Sequence, residues 1–164
     1  SDDASLTQTG LDSTYDSYAI AFSDLIPATD NVEAWLRFGD ASGIDSAGSD
    51  YAWAAHFIQV FSLTSFSADG VNTDAQMNLT ERYNVGNATG EAFNGIIFLH
   101  TPGDSSSYSH YSGHAGYSSR TSDHSPGTLY GRRNAVITLD RVQFLFASGN
   151  ITSGRMTVWG ISHA

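Results

Sequence analysis

The chain has 164 residues and a net charge of -10, with 17 Asp and Glu against 7 basic residues, all of them arginine. So acidic a chain neutralises phosphates poorly, and no apolar run approaches the roughly 18 residues of a membrane helix, so neither nucleic acid nor membrane insertion is expected. Cysteine is absent, which excludes disulfides and thiolate metal sites. At 40% hydrophobic and 12% aromatic the composition is globular, and the length suits one domain with one core.

The opening SDDASLTQTG lacks the charged-then-apolar order of a signal peptide. Residues 1–14 are expected to form an extension or linker ahead of a single β-sandwich domain spanning 15–164. The first strand signal is YAIAF, where Tyr18, Ile20 and Phe22 share a face. Pro27 fixes φ and removes a ladder donor, ending that strand near Leu25 and Ile26, and Thr29, Asp30 and Asn31 make the turn. In VEAWLRF, Val32, Ala34, Leu36 and Phe38 face one way and Glu33, Trp35 and Arg37 the other, the signature of a half-buried strand.

Strands are also expected within 51–66, 75–81, 90–100 and 135–146, with bulges or two-sided burial in 51–66 and 135–146, where the alternation changes phase. A last strand, RMTVWGI, sets Met156 and Val158 against Thr157, Trp159 and Ile161. Between them GDASGIDSAGSD (39–50), SADGVNTD (67–74), YNVGNATG (83–90) and ASGNITSG (147–154) read as turns. No stretch carries an apolar stripe at helical spacing. The pattern is all-β: an antiparallel two-sheet sandwich in preference to a barrel.

The segment from 101 to 134 stands apart and reads as a long loop insertion. Of the 29 residues from Gly103 to Gly131, nine are Ser, five Gly, four Tyr and three His. Rigid amphipathic tyrosines among adaptable serines and glycines are the chemistry of recognition loops. Tyr108, His110, Tyr111, His114, Tyr117 and Arg120 are therefore candidate ligand-binding residues, and packing against another chain and a mobile loop are the alternatives. Trp35, on the polar face of its strand beside Glu33 and Arg37, is a further candidate for stacking on a sugar ring, against burial at an interface.

Metal and catalytic signals are weak. His110 and His114 stand four apart, but Gly113 and the serines argue against a helix and no H-E-x-x-H or Cys accompanies them. Asp40, Asp45 and Asp50, like Asp69, Asn72 and Asp74, do not match a calcium loop and read as turn caps. The three glutamates, at 33, 81 and 91, single out no pair for glycoside hydrolysis, and there is neither a G-x-S-x-G elbow nor a phosphate-cradling loop. No enzyme activity, metal or cofactor is expected.

Two passages carry a resemblance. YAIAFSDLIPATDNVEAWLRFGDASGIDSAGSDYAW, with its L-x-P-A-T-D phrase between strands, and ITLDRVQFLFASGNITSGRMTVWGI, with its SGN-x-x-SG turn, resemble passages of tailed-phage virion surface proteins of fibres, spikes and decorations. The resemblance covers roughly residues 15–55 and 135–162 and omits the Tyr/Ser-rich segment. It implies a jelly-roll-like sandwich on a virion surface that serves attachment. The expected partners are other virion proteins and copies of itself, a trimer in a fibre or spike, and attachment is either to host surface polysaccharide through loops or to the capsid or tail as a decoration; the resemblance itself carries no binding specificity. A free-standing lectin-like carbohydrate-binding module is the alternative, and a polysaccharide-degrading enzyme the third.

Overall fold

The computed structural model describes residues 2–58, 66–80, 84–119 and 124–163. Among them every regular element is a strand: β1 (Leu6–Thr9), β2 (Ser17–Pro27), β3 (Ala34–Asp40), β4 (Gly43–Ile44), β5 (Tyr51–Ile58), β6 (Phe66–Asp74), β7 (Met77–Asn78), β8 (Phe93–His100), β9 (His110–Ser118), β10 (His124–Arg133), β11 (Arg141–Phe146) and β12 (Ile151–Ile161). They form two antiparallel sheets packed as a sandwich, so the all-β two-sheet expectation holds. One sheet has the order β1-β11-β3-β4, with β7 also on β3; the other runs β12-β2-β8-β9-β10-β5-β6. The chain passes repeatedly from one sheet to the other.

Alternation does the sorting, as period-2 strands require. Tyr18, Ile20 and Phe22 of β2, Ala34, Leu36 and Phe38 of β3, and Tyr51, Ala55 and Phe57 of β5 are buried between the sheets. Phe144 of β11 joins the layers, with its ring centroid 5.2 Å from Phe22 and 5.6 Å from Phe93. Each such buried ring contributes roughly 1.5–3 kcal/mol of transfer free energy.

The largest departure from expectation lies at 101–134. It is not a loop insertion: β9 and β10 run through the interior of the seven-stranded sheet, paired on both sides. Their inward set is Tyr111, Gly113, Ala115 and Tyr117 on β9, and Ser125, Gly127, Leu129 and Gly131 on β10. Gly131 lies opposite Tyr111 and Gly127 opposite Phe57. A Cβ at Gly131 would come within 2.6 Å of Tyr111 Cε1 and 2.8 Å of Met77 Sδ, and one at Gly127 within 2.6 Å of Phe57 Cγ. Aromatic rings from adjacent strands fill the space the glycines leave. A glycine-broken apolar period thus hides two core strands.

Other boundaries shift for related reasons. Residues 1–14 are not merely an extension, because β1 pairs with β11 and Leu11 is buried, its N–H bonded to the Asp140 carbonyl at 2.9 Å. The SADGVNTD turn is instead most of β6, an exposed edge strand held by its ladder to β5 rather than by apolar burial. The expected strand at 75–81 shrinks to β7, and that at 135–146 to β11, with Leu139 buried outside the ladder. β5 alternates without a phase change from Tyr51 to Ile58; residues 59–65, the rest of that run, lie outside the described residues.

Candidate functional site

The outward positions of the seven-stranded sheet line up in cross-strand rows. In one row His100, His110 and Arg132 are consecutive partners on β8, β9 and β10. The next holds Trp159, Ala19, Phe98, Ser112, Tyr130 and Ala54. A third holds Ile96, His114, Thr128 and His56. Strands β8, β9, β10 and β5 carry five of the chain's 6 histidines and none of its 17 acidic residues. Aspartate, the chain's main acid, is disfavoured in strands, and the outward positions of these four are held instead mostly by histidine, tyrosine, arginine and small residues.

Two concavities indent this face. One, of about 450 Å³, lies over Ala52, Ala54, His100, His110, Tyr130 and Arg132. The other, about 650 Å³, lies over His56, Ile58, Phe66, His114, Pro126 and Thr128. Among the described residues neither is lined by an Asp or Glu. Tyr130 is 52% exposed, Tyr108 46% and Trp159 51%, so three large aromatic side chains meet solvent on or beside the sheet.

Within the smaller groove the polar groups are only partly engaged. His100 Nε2 lies 3.2 Å from Ser112 Oγ, His110 Nδ1 lies 3.3 Å from the Tyr108 carbonyl, and the two imidazole rings stand 4.9 Å apart. Burial, reinforced by the neighbouring His110 and His163, holds the His100 pKa below the ordinary imidazole value. The Arg132 guanidinium sits 4.9 Å over the Tyr108 ring, and its Nε donates to Asn134 Oδ1 at 3.3 Å. Among the described residues it meets no carboxylate.

The residues singled out from sequence separate into four places. Tyr108, His110 and His114 belong to this face. Tyr111 and Tyr117 do not: they are 1% and 3% exposed and serve the core, Tyr111 edge-on to Phe38 at 6.2 Å and Tyr117 against Phe57 at 5.2 Å. In a strand, odd and even positions face opposite ways, so one segment contributed to both groups. Burial raises the Tyr111 phenol well above its ordinary pKa. Trp35 lies on the opposite side of the sandwich, its indole N–H donating to Glu33 Oε2 at 2.8 Å beneath the Arg37 guanidinium. Arg120 lies outside the described residues.

Sequence reasoning missed His100, Arg132, Tyr130 and the face-forming role of Trp159. The signal for His100 was present, since alternation along GEAFNGIIFLH puts it with Ile96 and Phe98. For Arg132 and Tyr130 it was masked by reading β10 as loop. The aspartates mostly have structural duties. Asp45 and Asp50 both bind Arg133, at 2.8 and 3.0 Å, Asp40 caps Ser42, and Asp74 accepts the Trp53 indole N–H at 3.1 Å. Among the described residues no group of three His, Asp or Glu is arranged to hold a metal ion.

The chain matches no protein-family model, no curated protein and no solved structure.

Proposed function

We propose that the protein is a non-catalytic attachment module that holds polysaccharide on the outer face of its seven-stranded sheet, and that it is displayed on a virion surface. The observation that carries the ligand class is the exposed Tyr130 beside a groove whose floor is backbone-rigid sheet and whose rim offers imidazole, guanidinium and hydroxyl groups. Aromatic faces pack against the apolar side of a sugar ring while nearby polar groups read its hydroxyls. Residues on strands hold that geometry more tightly than residues on a loop.

Binding without turnover is supported by the engagement of two of the three glutamates; Glu81 lies outside the described residues. Glycoside hydrolysis needs two carboxylates across the bond, whereas Glu33 is taken by Trp35, and buried Glu91 accepts the Ala88 N–H at 2.9 Å. The virion setting rests on the two scaffold phrases alone, and with it come other virion proteins and further copies of the chain, a trimer in a fibre or spike, as partners. The exposed edge strands β6 and β12 supply unpaired ladder groups suited to such lateral contacts.

The test is calorimetric titration with host surface polysaccharides, run beside sedimentation for oligomeric mass. Tyr130→Ala is expected to weaken binding about tenfold or more, the scale of a lost aromatic stack. Unchanged affinity in that variant would move the ligand off this face. Depolymerisation of the polysaccharide, abolished by a single Asp or Glu substitution, would overturn the non-catalytic reading.

A further inference from the structure

The row His100, His110, Arg132 is unusual on physical grounds. Residues directly opposite on antiparallel strands interact strongly, and like charges there are unfavourable. A chain with 17 acids has the means to place a carboxylate beside Arg132 and its two imidazole neighbours, yet among the described residues no Asp or Glu lines the groove. At the row's end the Asp16 carboxylate is engaged elsewhere, accepting the His163 backbone N–H at 2.7 Å. The next residue on β10 shows what the fold does with an arginine it means to satisfy: Arg133, facing inward, binds Asp45 and Asp50.

We infer that this ladder is an anion-reading subsite of the groove, so that the polysaccharide it takes is an acidic one, bearing a carboxylate or sulfate on its sugars. The inference rests on the attachment reading above and adds the ligand's charge. Arg132 offers the planar donor fork that fits such a group, already aligned by Tyr108 and Asn134. His100 Nδ1 and His110 Nε2 have no partner among the described residues and add donors on the two neighbouring strands. Strands lie about 4.8 Å apart, so the three groups span about 10 Å, the length of roughly two sugar units. Tyr130, one row over, is placed to stack on a ring whose acidic group reaches the ladder.

The experiment compares ligands that differ only in charge: polygalacturonate against its methyl ester, and dextran sulfate against dextran, each titrated into the full chain at low and moderate salt. Tighter binding of an acidic form by at least about tenfold, falling with salt, is expected. The polyuronate and sulfate arms tell which anion is read. Arg132→Gln is expected to erase the preference while keeping the melting temperature. Arg155→Gln, the same charge change on edge strand β12, is expected to leave it in place.

Equal binding of charged and neutral forms overturns the acidic subsite and leaves the attachment reading standing. A preference that survives Arg132→Gln also overturns it. Binding of no polysaccharide in the panel overturns both. If Arg132→Gln changes oligomeric mass and leaves glycan binding as it was, the ladder is an interface between copies and the inference fails.

Discussion

The two outer faces of the sandwich use similar residues to opposite ends. On the five-stranded sheet Trp35 is pinned by Glu33, Arg37 reaches the Ala75 carbonyl and Gln76, and Arg141 binds Asp140. On the seven-stranded sheet Tyr130 and Trp159 stand exposed, and Arg132 and the histidines beside it face a groove that no acid among the described residues lines. A polar group satisfied within its own chain contributes to stability, and one left unsatisfied at the surface is available to something else. The first face is finished; the second is open.

That contrast is broken most severely at the core the faces share. Phe144→Ala removes the ring between Phe22 and Phe93 and is expected to cost about 3–5 kcal/mol in urea denaturation, loosening both sheets together. A loss under about 1 kcal/mol would mean the sheets do not depend on that contact.

Next in size comes the pair of adjacent arginines on β10. Arg133→Gln strands two carboxylates and should cost about 2–3 kcal/mol, since hydrogen bonds to charged groups are the costly ones to lose. Arg132→Gln should change stability by no more than about 0.5 kcal/mol, the range of surface substitutions. Chemical denaturation of both variants checks the comparison, and equal losses would erase it.

Smaller again is Glu33→Ala, which leaves the Trp35 indole without its acceptor at the part-buried surface. A loss of about 1 kcal/mol is expected, with polysaccharide affinity unchanged. A fall in affinity would bring the five-stranded face into the binding site.

The least effect concerns pH. Because His100 is held below the ordinary imidazole value by burial and by His110 and His163, the unfolded chain takes up its proton at higher pH than the folded one. The stability this provides is present above about pH 6.5 and is lost as pH falls through the folded value. Thermal melts at about pH 7.5 and 5.5 should show a larger decrease in the native chain than in His100→Gln. Equal decreases would assign the pH sensitivity to other groups.

How much of this was legible depended on whether the inward set of a strand was apolar. β2 and β3 were read with correct faces because Tyr18, Ile20, Phe22, Ala34, Leu36 and Phe38 spell an uninterrupted period. β9 and β10 carry no strand signal in the sequence because Gly113, Gly127 and Gly131 occupy inward positions filled from neighbouring strands, a contact that only the register supplies. The same alternation divides the candidate site. His110 and His114 belonged to the face, while Tyr111 and Tyr117, equally aromatic and equally close in sequence, faced the other way.

Taken alone, the sequence determined the all-β class, the two-sheet packing and the residue types available for recognition, since these follow from composition and from local period. Tertiary structure decided which strands are central, that acids are spared from the middle of one sheet, and that His100, His110 and Arg132 stand side by side. Those facts concern partners distant in the chain: Arg132 and His100, 32 positions apart, are brought together through β9, and Arg133 pairs with Tyr51, 82 positions away, to set β10 inside the sheet. Register is set by packing across the whole sheet, and no window of sequence contains it.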